Sequence, residues 1–581
     1  MNKVRLTILS LLFISTTAMA RWSSNPAEAL WINSDSRYFY SYAVEQAPNG
    51  NTWFYLNGDG DTHYVQLFDS TGVAMLGEEM MLVSDHRDRL TGYIGQNLFV
   101  DRDGNAIVIV SDLRYSPDSD ELGSYTAYKI SQSGEMLWGE GGVPIDNGEG
   151  RSINAFVSVT QLSDGDYVFS WLHSDYDQTI FSIDVQRVNS QGELLWDPVE
   201  TRLTDPDKKI TYFWPYIVDA GMGQCILVYT KGSNYELYAR KLDFDGTSAW
   251  SEDTRIYHGG FLSTPLNTLL DVEPSGDGGV IVTWYDDRYY TNTESIYMSY
   301  VKPNGSLGFA AGEAGQKLGY SELRALSTTC KYDPASDSFI ALWRESDQGQ
   351  GQFRVVAQRV SKEGELLWDE DGLEVEPLEE RVLYGDLTLQ LGEEGEVVAF
   401  YMKRNTFEYG NVDVRMQRIN TLDGTLVWDE SKILTDAQSP TEKTDMQVTE
   451  IASRRYAVFG WDDRGVTSDP DYKRLYLNRV NYDGTLGCKG DAAVTETAIE
   501  SNDFVAIVTV DNVDFVVDSK QAAQAIITVY NFDGTIVAQP FIGQLNQGRQ
   551  CVTWHHEVST GVYLATLTTP QGLFTTKIFI K

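Results

Sequence analysis

Two short runs in this sequence place oxygen-bearing side chains at alternate positions. One is Asn57-Gly58-Asp59-Gly60-Asp61 and the other is Asp101-Arg102-Asp103-Gly104. Calcium is held by carboxylate and amide oxygens of this kind, which makes Asp59, Asp61, Asp101 and Asp103 the candidate metal ligands. Neither run continues into a twelve-residue loop closed by a bidentate Glu, and an Asp/Gly turn forms without metal. A looser acidic group, Asp118, Asp120 and Glu121, follows Ser116-Pro117. The expectation is no obligatory cofactor, with calcium the one cation to consider.

Catalytic constellations are absent. There is no G-x-S-x-G elbow and no H-E-x-x-H pair. His63, His86, His173 and His258 are scattered, and His555-His556 stand near the end of the chain. Cys225, Cys330, Cys488 and Cys551 include no C-x-x-C, so neither a zinc nor a redox framework is indicated. Exported chains pair cysteines readily, but these sit in different repeats and are expected as isolated thiols. Asp286-Asp287-Arg288 recurs as Asp462-Asp463-Arg464, with Asp112 and Arg114 as an echo. A residue type repeated in this way reads as a structural ion pair at a strand end. With 84 carboxylates in the chain, some close acid pair is inevitable and proves nothing alone.

The elements that would position any such group follow a repeat. AYKISQSGEMLW, VQRVNSQGELLW, ARKLDFDGTSAW, AQRVSKEGELLW and MQRINTLDGTLVW share one pattern: an alternating strand, a turn glycine, and an aromatic four residues on. The turn glycines are 72, 134, 192, 246, 305, 364, 424 and 484, spaced by roughly sixty residues. Alternation, a glycine turn and more alternation predict a β-hairpin, with the strand after the glycine carrying the aromatic. An apolar strand precedes each hairpin, as in VIVTWY before Asp286 or FIALW ending at Trp343. Four strands per repeat predict an all-β architecture: an eight-bladed β-propeller over about residues 21–489, or seven blades if one weak terminal copy does not count. The eighth copy lacks a fourth strand. The segment AEALWI, with Trp31, resembles the missing piece and is expected to close the ring, removing an exposed edge. The recurring aromatics are expected to pack between blades. The Asp-box of propeller sialidases places Gly three residues before Trp, whereas here it is four.

Residues 1–20 read as a signal peptide: Lys3 and Arg5, an apolar run over 6–14, then Ala18-Met19-Ala20. The apolar run is too short to span a bilayer, and no transmembrane segment is expected later. A net charge of −39 excludes nucleic acid as a natural partner.

The period stops near residue 490. Seven short strands follow in 490–581, the pattern of a small Ig-like β-sandwich. ITVYNFDGTIVAQ and then STGVYLATLTTPQGLFTTKIFIK resemble the C-terminal sorting domain of the type IX secretion system (Por) of Bacteroidota. Tyr530, Asp533, Gly534, Gly561, Val562, Tyr563, Lys577 and Lys581 occupy that motif. The usual Pro-Asn-Pro at the domain entrance is missing. The resemblance implies export across the outer membrane by that machinery, removal of this domain, and release or anchoring outside the cell.

The expected function is a secreted or cell-surface, non-enzymatic binding or adhesion module with a glycan or protein ligand. The alternative is a propeller glycoside hydrolase or polysaccharide lyase with acids in the central channel. Convergence decides between them: an enzyme gathers non-repeated Asp, Glu, Arg or His at one channel mouth.

Overall fold

The computed structural model describes residues 22–32, 39–58, 62–85, 95–112, 124–146, 152–175, 181–196, 201–258 (without 206, 208 and 234), 271–288, 294–451 (without 394, 407 and 409), 455–465, 473–488 and 503–580 (without 509–511, 520, 521, 532–534, 547, 557, 559, 560, 570 and 571). The chain divides into two compact units, Met1–Asp491 and Ala492–Lys581. Among the described residues no helix is long and apolar enough to cross a membrane.

The first unit is a β-propeller. Among the described residues it contains eight antiparallel sheets, seven of four strands and one of five. In seven sheets the strands follow one another in sequence, innermost first. Blade three, for example, runs Ser152–Gln161, Tyr167–Asp175, Phe181–Val188 and Thr201–Leu203. The eighth is composite. Lys443–Val448, Tyr456–Asp463 and Arg474–Asn481 are joined by Leu30–Trp31, with Leu30 opposite Leu477 and Trp31 opposite Tyr476. The N-terminal segment is therefore the outer strand of the last sheet. Blade one meets the last sheet in one apolar cluster: Phe39, Tyr42, Val44 and Phe54 pack with Val458, Leu475 and Leu477. Tyr42 also donates its hydroxyl proton to the carbonyl of Asp445.

The second strand of each sheet carries the continuous apolar run, because both of its faces are covered. Val280–Asp286 and Ser338–Ser346 are buried at almost every position. The hydrophobic clusters straddle neighbouring blades; one joins Ile226, Val228 and Ala239 of blade four to Val280, Val282 and Trp284 of blade five. Burial between blades removes apolar surface that a lone blade would expose.

The recurring aromatics lie between blades, against the turn glycine of the next repeat. Trp196 packs at Gly246, and its Nε1 donates to the carbonyl of Phe244 at 2.9 Å. Trp138 reaches the carbonyl of Ser190 and Trp250 that of Pro303 in the same way. A Cβ on Gly246 would stand 3.0 Å from the Trp196 ring, on a backbone with φ +79°, so that position requires glycine twice over.

One detail of the hairpin differs from expectation. The segment after the turn glycine makes only a single bridge, such as Val188 to Leu194, and the outer strand Thr201–Leu203 comes after Trp196. Leu195 N–H returns to the Arg187 carbonyl at 2.8 Å, which folds the chain back early and turns Trp196 toward the next blade.

The second unit is a β-sandwich of two sheets. Asp503–Val508, Asn512–Ser519 and Gly548–His555 form one; Ile536–Leu545, Ala523–Tyr530, Gly561–Thr569 and Gly572–Ile580 form the other. Val513, Phe515 and Val517 pack against Ile527, Val529, Ala565 and Leu567 to make its core. Tyr530 ends its strand opposite Leu564, Tyr563 is buried opposite Ile578, and Gly561 and Val562 pair with Ile580 and Phe579. Lys577 is exposed opposite Leu564. Asp533, Gly534 and Lys581 lie outside the described residues.

Candidate functional site

The inner strands share an irregularity near their N-terminal ends. Register slips between Ala155 and Ser158, Phe213 and Tyr216, Leu326 and Thr328, Gly385 and Thr388, and Thr444 and Gln447. At each slip one non-glycine residue takes a left-handed backbone: Phe156 (φ 55°), Trp214 (57°), Ser327 (50°), Asp386 (48°) and Asp445 (55°). Such a conformation costs about 1–3 kcal/mol per residue, and for a bulky aromatic it is a true outlier. Bulges of this kind re-aim side chains and cluster next to active sites.

Groups on adjacent blades hold these inner strands in place. Ser158 Oγ accepts from Ile217 N–H at 3.2 Å, and Asp386 Oδ2 accepts from Met446 N–H at 3.0 Å. Gln96 Oε1 accepts from Val159 N–H at 3.1 Å. Blade two uses Gly95 at φ 87°, where a Cβ would lie 2.7 Å from the Val157 carbonyl oxygen.

The result is two arcs of side chains near the bulges of the inner strands. The aromatic arc belongs to blades three and four. Phe156 and Trp214 meet with ring centroids 4.3 Å apart; Phe213 lies 4.9 Å from Phe181 and 5.7 Å from Tyr235. All five rings are half-buried, leaving part of each surface open. The Nε1 of Trp214 is buried without a hydrogen-bond partner. An unpaired buried donor costs about 1–3 kcal/mol, so this tryptophan bears two local penalties that packing does not explain.

The polar arc belongs to blades five to eight. Arg344 donates to the Tyr384 carbonyl at 2.5 Å, its Nε is buried without a partner, and no carboxylate lies within ion-pair distance of it among the described residues. Burial pushes its guanidinium down. Other arginines are paired: Arg288 with Asp286 at 2.6 Å, Arg324 with Glu294 at 2.7 Å, Arg354 with Glu345 at 2.7 Å. Burial raises the Asp386 carboxyl above the usual carboxylate range and Asp445 adds to this; Met446 N–H, Arg344 and Arg404 oppose it. Burial likewise raises the Tyr285 hydroxyl, with Glu294 adding and Arg344 opposing. Chemically, these arcs combine an aromatic platform, a guanidinium with no ion pair among the described residues, and a carboxyl raised above the usual carboxylate range.

The residues singled out from sequence lie elsewhere. Asp101 is engaged within its own turn. Its carboxylate is buried and committed: Oδ1 accepts from Asp103 and Asn105 N–H, Oδ2 accepts from the Tyr167 hydroxyl at 2.8 Å, and Lys129 stands 3.2 Å away. It holds its turn and an ion pair. No group of three or more metal-ligating side chains occurs among the described residues. Asp59 and Asp61 lie outside the described residues. Asp286 and Asp462 take the strand-end role expected of them, Asp286 also accepting from Trp284 Nε1 at 2.9 Å. Cys225, Cys330 and Cys488 are free thiols. Phe156, Trp214 and Arg344 carried one sequence signal: each interrupts its repeat with a residue type its counterparts lack.

No family model matches the chain, and no curated protein matches it. Solved structures give likenesses of low identity. The BP39L lectin from Burkholderia pseudomallei is 12% identical over 78% of this chain and 99% of its own, with a TM-score of 0.40. An endo-1,5-alpha-L-arabinanase from Thermotoga petrophila RKU-1 is 12% identical over 79% and 97%, with a TM-score of 0.27. Prolyl oligopeptidase B from Galerina marginata is 10% identical over 74% and 56%, with a TM-score of 0.40.

Proposed function

We propose that this chain is an exported β-propeller that binds carbohydrate, without turning it over, at the mouth ringed by the bulges. The observation that carries the reading is the strained, half-open pair of Phe156 and Trp214 on neighbouring inner strands. Aromatic faces offer stacking area to the apolar faces of sugar rings, and the polar arc supplies hydrogen-bonding groups for hydroxyls. Secretion to the cell surface or beyond, through the type IX machinery and the C-terminal sandwich, is part of the same proposal. Its support is the signal-peptide pattern and the motif around Tyr530, Gly561 and Tyr563. In a host with that machinery, deletion of residues 500–581 is expected to leave the protein in the periplasm by cell fractionation. Undiminished surface display refutes the sorting role.

One observation favours the hydrolase or lyase reading: the raised Asp386 carboxyl beside Asp445 and near Arg344 suits a general acid. A glycan array combined with a polysaccharide-turnover screen on the full chain separates the two. The expected result is binding without product. If product forms and Asp386→Asn lowers turnover about a hundredfold or more while binding persists, the binding-only reading fails. If neither binding nor product is found, the carbohydrate reading fails.

A further inference from the structure

The inner strands run out at the other end of the ring, and there blades five to eight enclose a second pocket of ≈ 470 Å³. That volume suits a small molecule or a single side chain. Glu273, Lys331 and Gln390 hold the same register on three consecutive inner strands. They sit opposite Ile281, Ile340 and Val398, each three residues before the blade's Trp284, Trp343 or Tyr401. One position of the repeat thus carries an acid, a base and an amide in turn. Glu450 from the last sheet completes the polar wall, and Leu391 is part of the apolar one.

Two features point to a ligand. First, Gln390 is only 6% exposed, lines this pocket, and its amide has no hydrogen-bond partner among the described residues. An amide set in a pocket wall with no protein partner can exchange solvent for a polar group of a ligand. Second, the charges do not balance. Glu273 is paired with Lys331 at 2.5 Å, and among the described residues the exposed Glu450 has no ion-pair partner of its own. Glu45, on the inner strand of blade one, feels both Glu450 and Lys331 through space. Burial, with Glu450 adding and Lys331 opposing, pushes its carboxyl up to about 8. Burial also pushes Glu273 up to about 7, with Asp271 and Glu450 adding and Lys331 opposing.

We infer that this pocket receives a primary ammonium group, carried by an amino sugar or by a lysine side chain. Glu450 pairs with the ammonium, and the Gln390 amide bonds a neighbouring hydroxyl or carbonyl.

Calorimetric titration of the full chain tests this with Nα-acetyl-lysine methylamide, with glucosamine at pH 6.5, and with neutral N-acetylglucosamine. At least one ammonium probe is expected to bind, and which one does identifies the source. The neutral sugar is expected to bind at least about tenfold more weakly. Glu450→Gln and Gln390→Leu should each weaken binding about tenfold or more, with Gln390→Asn as the milder variant should Leu disturb folding. Equal binding of the neutral sugar, no binding of either ammonium probe, or full affinity in Glu450→Gln overturns the inference. Trp214→Ala, at the far mouth, should leave this titration unchanged, so the two sites fail or stand separately.

Discussion

Trp214→Ala is expected to weaken the best glycan ligand about thirtyfold, equivalent to about 2 kcal/mol for a well-placed aromatic anchor. Trp214 presents the largest ring in the aromatic arc and touches Phe156 from the next inner strand. Its contribution to folding is small by comparison. The ring is only half-buried, its backbone is strained, and its Nε1 is buried without a partner, so removing it relieves one penalty while it loses packing. Affinity should therefore fall far more than the denaturation midpoint. Phe156→Ala should follow in the same direction with a smaller effect. Titration of the array-selected glycan against both variants, alongside urea unfolding, is the measurement. Unchanged affinity in Trp214→Ala, or a loss fully matched by loss of folded protein, removes the stacking platform from the mechanism.

The second large effect is on closure of the ring. Trp22 is 1% exposed, lies 5.6 Å from the Phe68 ring, and its backbone N–H donates to the Thr71 carbonyl. It clamps the N-terminal segment onto blade one, and Leu30–Trp31 then completes the last sheet. The chain approaches closely nearby: a Cβ on Gly487 would stand 2.7 Å from Ser24 N. Truncating a buried tryptophan to alanine costs about 3–5 kcal/mol; here the unpaired Nε1 of Trp22 moves the expectation to the lower end of that range. Trp31 is half-buried, between Tyr476 and Arg474, and Trp31→Ala should cost about 1–2 kcal/mol. Loss of this latch leaves Arg474–Asn481 as an open edge, so Trp22→Ala should also raise the aggregated fraction on mild heating. Urea unfolding with light scattering checks both outcomes. A wild-type midpoint in Trp22→Ala would show that the ring holds without its N-terminal clamp.

The repeat, the strand content and the role of the recurring aromatics were all legible in the sequence. They are written in local pattern: two-residue alternation, a glycine where φ must be positive, and an aromatic at a constant offset. The AEALWI segment could be paired with the last copy because a missing strand leaves a visible gap in a sixty-residue period. The start of the outer strand was misplaced, since the early turn at Leu195 depends on a backbone hydrogen bond and on where the next blade stands.

The two mouths were not legible, for a physical reason. Phe156, Trp214, Asp386 and Asp445 occupy left-handed bulges that their own residue types disfavour. Only contacts from adjacent inner strands sustain them, and no local signal announces such contacts. Glu45, Glu273, Lys331, Gln390 and Glu450 are separated by as many as four hundred residues and carry no motif. Closing the ring brings them around one axis, where charges that would ignore one another in solvent come to interact. Sequence alone determined the wheel and its packing, whereas only the tertiary structure decided which odd residues of each repeat share a mouth and which of them are left without partners.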